Sequence, residues 1–245
     1  MAEVPTGSFP ATRHSIIAAI QGDDSAEKSR GLDAITAAYW KPVYKHLRLR
    51  WNLSSADAQD LTQEFFTRLI EKDFLSGYDA SKGRLRTFLR TCADKLFLKQ
   101  SRDAHRAKRG GASPNVHLDF HEAEQELART AYSSSDPIEE QFEREWVRSL
   151  FALALERLRS KYVGSGRMAH LHLFERYDLA EDEASRLSYA QLAVEFGLSV
   201  TDVTNYLCSA RRQFRQCVLD QLRDMTASEE EFQSEARALL GVKTE

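Results

Sequence analysis

Apolar positions recur at helical spacing through most of this chain, and sustained alternation of apolar and polar residues is absent. Ile16, Ile17 and Ile20 mark a short helix over 14–21, closed by a polar break at Gly22-Asp23-Asp24. Over 32–51, Leu32, Ile35, Tyr39 or Trp40, Val43, Leu47 and Trp51 predict a longer amphipathic helix, which Pro42 should kink or divide. Over 57–72, Phe65, Phe66, Leu69 and Ile70 share one side with Ala58 and Thr62. Ser54 and Asp57 form a capping box at its start. A connector at 73–83 leads to a helix over 84–102, where Leu85, Phe88, Leu89, Cys92 and Leu96 make one apolar face. Phe142, Trp146, Leu150, Leu153, Leu155 and Leu158 predict a helix over 137–163, stopped by Gly164-Ser165-Gly166, and another helix spans 168–177. The pattern predicts an all-α protein.

The most specific local motif lies at 187–215. Ser188 with Gln191 and Ser199 with Asp202 are two capping boxes, and Gly197 between them permits the left-handed conformation that reverses the chain. Ala193 is small where two helices would cross, and Leu198 plugs the turn. Val203, Leu207, Ala210, Phe214 and Val218 fall on one side of the second helix, and Thr201, Thr204, Asn205, Cys208, Arg211, Arg212 and Arg215 on the other. Short polar groups ahead of arginines suit base edges and phosphates, the requirement for reading a major groove, so the motif predicts a DNA-binding helix-turn-helix. An ordinary helical hairpin would share the apolar pattern but not this outer face.

The 245 residues, 42% hydrophobic and 29% charged, suffice for two small helical domains joined by a flexible acidic linker. The expected divisions are a mobile lead-in over 1–13, a first domain over 14–109, a linker over 110–144, a second domain over 145–223 and an amphipathic extension over 224–245. In the extension Ser228 and Glu231 cap a helix bearing Phe232, Ala236, Leu239 and Leu240, expected to pack on the second domain. The net charge of −3 conceals segregation. Residues 82–109 hold ten Lys/Arg against two Asp, whereas 119–145 hold nine acids against two Arg. A clustered basic stretch is the footprint of a polyanion partner, and the acidic stretch has the sign to fold back on it as a screen. No signal sequence or run of transmembrane length is present, which predicts a cytoplasmic protein with no membrane partner. Cys92, Cys208 and Cys217 have no zinc-ligand spacing and read as reduced and structural. No metal or other cofactor is expected.

Two helix faces carry chemistry whose meaning stays open at this level. Asp57, Asp60, Glu64 and Glu71 form an acidic stripe that suits a solvated face, a hard-cation site or a docking surface for a basic partner. On 84–102, Arg86, Arg90 and Phe97 lie within about 40° of each other on the helical wheel. An aromatic between arginines suits stacking on an unpaired base, or equally a contact with another helix. Lys95, Lys99, Arg102 and Arg106 form a second basic row.

Together, Asp57-Ala-Gln-Asp-Leu-Thr-Gln-Glu-Phe-Phe66, the helix opening Gly83-Arg-Leu-Arg-Thr-Phe-Leu89 and the C-terminal motif resemble the extracytoplasmic-function (ECF) group of bacterial RNA polymerase sigma factors, within the sigma-70 superfamily. The similarity covers roughly 15–109 and 146–218. It implies promoter-directed transcription initiation without a catalytic residue of the chain's own. Core polymerase would dock on Asp57, Asp60, Gln63, Glu64 and Phe65. The −10 promoter element would meet Arg84, Arg86, Arg90, Lys95, Phe97, Lys99 and Arg102, and the −35 element the outer face at Thr201–Arg215. Gln59, Lys95, Lys99, Thr204 and Tyr206 depart from residues frequent in the group. Thr62 and the Ser54-Ser55 pair suggest a control in which phosphate would add about two negative charges to the docking surface, with Thr62 the candidate phosphosite, and some relatives are associated with Ser/Thr protein kinases. A kinase or an anti-sigma factor is the implied regulatory partner. The competing readings are a stand-alone helix-turn-helix regulator, which leaves the acidic stripe without a purpose, and a metal-dependent helical enzyme using Asp57, Asp60 and Glu64.

Overall fold

The computed structural model describes residues 16–71, 74–104, 118–129, 137–180 and 186–241. The expected lead-in at 1–13, the end of the basic row at Arg106 and the centres of both polar loops lie outside the described residues. Within them are ten α-helices, two short 3-10 turns (Phe74–Gly77 and Ala80–Lys82) and no strand. The helices are α1 (Ile16–Gln21), α2 (Ser25–Arg50), α3 (Ser55–Glu71), α4 (Leu85–Ala104), α5 (Phe120–Arg129), α6 (Ile138–Ser165), α7 (Met168–Asp178), α8 (Tyr189–Phe196), α9 (Val200–Asp224) and α10 (Glu229–Leu240). The all-α architecture is as the apolar periodicity predicts.

Everything in the first half is arranged around α2. It starts earlier than its apolar residues indicate because Asp24 caps it, accepting from the amides of Ala26 at 2.8 Å and Glu27 at 3.1 Å. The helix also runs through Pro42, where a kink or division was expected. Pro42 is buried, so packing from neighbouring helices compensates the hydrogen bond the ring cannot donate. Ile35, Tyr39, Val43 and Leu47 are buried on α2, and α1, α3, α4, α5 and α6 all pack against it. Gly31 admits α1: a Cβ there would meet Ile20 Cγ1 at 2.6 Å.

The most extensive helix pairing among the described residues joins α2 to α6, across the linker. A single apolar cluster runs from Ile17 and Tyr39 through Leu89 and Trp146 to Val218, Phe232 and Ala236. The two halves therefore share a core, where the sequence predicts separate domains on a flexible tether. Part of that linker is itself built in. Phe120 on α5 packs against the rings of Trp40 and Tyr44 at 5.7 and 5.0 Å. Lys41 pairs with Glu122 and Glu126, and Arg48 with Glu124. Deeper, Lys45 reaches Glu126 at 2.6 Å and Glu145 of α6 at 2.5 Å, with Lys45 and Glu145 both almost fully buried. The acids of α5 thus meet cations on α2, not the basic row of α4.

α8 and α9 form a compact corner with its own core of Leu173, Leu192, Ala193, Val203 and Leu207. Both capping boxes are present, and Gly197 sits at φ 63° between the helices. α10 begins at a Ser228 cap and packs on α9, with the Arg223 guanidinium 4.1 Å from the Phe232 ring.

Candidate functional site

α3 is held against α2 and α4 by Ala58, Leu61, Phe65, Phe66 and Leu69, all buried. The Ser54 hydroxyl accepts from the Asp57 amide at 3.1 Å and donates to the Asp57 carboxylate at 2.6 Å, a side-chain cap that makes half of the expected capping box. This rotation brings Asp57, Asp60 and Glu64 along one wall of an open groove whose other lining includes Leu61 and Phe97. Glu64 is tied to Arg68 and accepts from Gln100, whereas Asp60 is exposed. Gln63 is half-buried beside them. Phe65, expected on the same docking surface, is buried and turns to the opposite side, where it lines a second hollow with Arg68, Cys92, Lys95, Leu96 and Lys99. Ile70, expected in the apolar face, is 41% exposed. Thr62 is fully buried and its hydroxyl donates to the Ala58 carbonyl at 2.7 Å, so a phosphate has no room there without local opening of α3. Among the described residues no three His, Cys, Asp or Glu gather as metal ligands would.

On α4 the basic residues divide into two environments. Lys95, Lys99 and Arg102 are exposed. The leading arginines are not free. Arg86 is 5% exposed, its Nε donating to Glu143 at 2.7 Å and its guanidinium lying 4.5 Å from the Trp146 ring. Burial works against its charge, but Glu143 and Glu235 outweigh burial and hold it more basic than usual. Arg84 pairs with Glu235, and Arg90 with Glu139. Phe97 stacks on Trp51 with centroids 4.4 Å apart, the helix contact that its wheel position left open, and remains part-exposed in the groove beside α3.

A feature that periodicity did not reveal lies at the start of α4. Tyr78 and Phe88, with ring centroids 5.4 Å apart, border a hollow shared with Lys82, Arg84, Thr87 and Thr91. The Tyr78 hydroxyl donates to the Gly83 carbonyl at 3.0 Å, and burial, followed by the charge of Glu231, pushes it up to about 12. Two aromatics flanking the Gly83-Arg84 step were the available signal.

On α9, Thr201, Thr204, Asn205, Cys208, Arg212 and Arg215 are exposed on one face, as the sequence places them. Arg211 is engaged elsewhere: its Nε and Nη2 donate to the two Asp178 oxygens, each at 2.9 Å, and it lies over the Tyr177 ring. Asp178 first, and then Tyr189, raise its basicity further. Tyr206 stacks on His170 at 3.9 Å, and burial, with Arg167 nearby, lowers the His170 pKa and favours the neutral ring.

The site is thus a bundle with an acidic groove on α3, a basic and aromatic surface on α4, and a polar, arginine-bearing face on α9. Residues 37–107, from α2 through α4 and slightly beyond, match the family model of sigma-70 region 2. The chain is similar to sigma-70 region 2 over this stretch, less than a third of its length. No curated protein and no solved structure gives a significant match to it. No helix among the described residues is long and apolar enough to cross a membrane.

Proposed function

We propose that this protein is an ECF-type sigma factor that docks on core RNA polymerase through the α3 groove and directs it to promoter DNA. The observation that carries the reading is the acidic groove of Asp57, Asp60 and Glu64 over Leu61 and Phe97, lying inside the region 2 match. Carboxylates beside an apolar floor suit a basic, partly apolar helix of a partner protein. In this role Lys95, Lys99 and Arg102 hold phosphates near the −10 element, and the hollow beside Phe88, with Tyr78 buried behind it, is of a kind to receive an unpaired base. The exposed face of α9 reads the −35 element, with Thr201, Asn205 and Cys208 toward bases and Arg212 and Arg215 toward phosphates. Polymerase performs the chemistry, and the protein works in the cytoplasm where polymerase is.

Pull-down with purified core polymerase, followed by in vitro transcription on genomic fragments, tests the assignment. Asp60→Lys and Glu64→Lys are expected to weaken core binding at least tenfold while leaving the helical content unchanged. Normal core binding by both variants would refute it, and promoter-fragment binding without core binding would favour a stand-alone regulator.

A further inference from the structure

The row of arginines that opens α4 is matched by carboxylates from the other half of the chain. One Glu235 oxygen on α10 lies 2.9 Å from both Arg84 Nε and Arg86 Nη1. Glu143 reaches Arg86 Nε at 2.6 Å, and Glu139 reaches Arg90 Nη1 at 2.6 Å. Glu235 is 2% exposed, an acid placed among the apolar residues Phe232 and Ala236 of a helix whose opposite side is fully hydrated. Nothing in the apolar packing of α10 calls for a carboxylate there; the two guanidiniums do. Negative oxygens set along a row of arginines are what a nucleic-acid backbone would present to the same side chains.

We propose that α10 and the first turns of α6 form an intramolecular screen, in which Glu235, Glu143 and Glu139 occupy arginines that promoter phosphates take when DNA binds. The inference rests on reading α4 as a DNA-contacting helix. Its mechanism is an exchange of anions. Phosphates that capture Arg84 and Arg86 leave Glu235 buried without a cation, a state costly enough to expel the helix that carries it. Burial, together with Glu235, holds the neighbouring Glu231 above the usual carboxylate range. Closing α10 and binding DNA are therefore mutually exclusive uses of one surface, and each weakens the other by the same factor. α10 is the part able to move: it is 12 residues long, follows a turn at Thr226–Ser228 and buries chiefly Phe232 and Ala236.

The test uses the full chain without polymerase, titrated at low salt with a mixed-sequence single strand and with a mixed-sequence duplex. Glu235→Gln is expected to bind at least fivefold more tightly than the parent. Glu139→Gln/Glu143→Gln, at half-exposed positions whose change leaves the core intact, should gain about threefold. Adding Arg86→Ala to Glu235→Gln should remove most of that variant's gain. Hydrogen exchange supplies an independent readout: saturation with DNA should speed exchange across 229–240 in the parent. Equal or weaker DNA binding by both carboxylate variants overturns the screen, as does unchanged protection of α10 at saturation. Core binding by the α3 variants is scored separately, so a sigma factor lacking a screen and a screened DNA-binding protein that is no sigma factor give different results.

Discussion

Lys45→Met is the sharpest probe of how the halves are joined. The ammonium of Lys45 lies between Glu126 of α5 and Glu145 of α6, at 2.6 and 2.5 Å, and only 1% of the side chain is exposed. Without it, Glu126 can turn to water, whereas Glu145 is buried, with Arg148 reaching it from the more exposed side. Breaking a buried pair by removing one partner costs about 3–5 kcal/mol, and the residual Arg148 contact sets the expectation near the lower end, about 3 kcal/mol. At this chain length that lowers Tm by about 6–12 °C. Lys45→Met/Glu145→Leu, which removes both charges, should recover about 2 kcal/mol of the loss. Urea unfolding followed by circular dichroism and by tryptophan fluorescence measures both effects. Because Trp40 and Trp51 lie on the α2 side and Trp146 on α6, the two transitions should coincide and shift together. A Lys45→Met loss below about 1 kcal/mol, or a double variant no better than the sum of its parts, would show that this cluster does not join the halves.

Three further outcomes follow from particular contacts. Gly31→Ala gains helix propensity but places a Cβ 2.6 Å from Ile20 Cγ1 and 3.1 Å from the Ile16 carbonyl, so thermal melting should show a net loss of about 1 kcal/mol; a stabilised variant contradicts the close α1–α2 approach. Asp94 is raised by burial, but hydrogen bonds from His46 and Trp51 more than reverse this and leave its pKa below the usual value. Its stabilisation is complete above the unfolded carboxylate range and is lost as pH falls through the depressed folded value, so Asp94→Asn should cost about 2 kcal/mol at neutral pH and progressively less in acid. A cost independent of pH down to the onset of acid unfolding would contradict the charge-based account. Arg212→Ala and Arg215→Ala should each reduce the salt slope of promoter-fragment binding by about one, whereas Arg211→Ala, already committed to Asp178, should leave it unchanged; an equal reduction by Arg211→Ala would free that residue for DNA.

The helices, their caps and the α8–α9 corner were legible because each is a local matter. Ser54, Ser188 and Ser199 cap through residues three positions on, and Gly197 takes its left-handed turn within the same few residues. The matching of charges was not legible, because the partners are far apart in sequence. Arg86 stands 57 residues from Glu143, and Lys45 stands 100 from Glu145. A usable signal did exist: Lys45 and Glu235 each interrupt the apolar side of an amphipathic helix, where an unpaired charge is too costly to leave. Phe97 shows the opposite limit. Its wheel position beside Arg86 and Arg90 is real, but Trp51 stacks on it, and no periodicity on α4 reports what the end of α2 brings.

The opposing charges along the chain are largely spent on one another before any partner arrives. The acidic stretch divides, with Glu122, Glu124 and Glu126 meeting Lys41, Lys45 and Arg48, and with Glu139 and Glu143 meeting Arg90 and Arg86. What remains exposed on α4 is the later row of Lys95, Lys99 and Arg102, and on α3 the carboxylates of Asp57, Asp60 and Glu71. The closed chain therefore still presents an acidic wall on α3 while engaging the arginines nearest the α4 N-terminus. Salt separates these layers. It screens exposed charges, including the outer pair at Glu139, but acts weakly on Glu235 and Arg86, which are almost sealed from solvent. Raising ionic strength should consequently weaken first contact with DNA more than it loosens the screen. Release of the inner arginines then depends on an anion that replaces Glu235 at their guanidiniums by direct contact, a role for which dissolved ions are too dilute and a positioned phosphate backbone is suited.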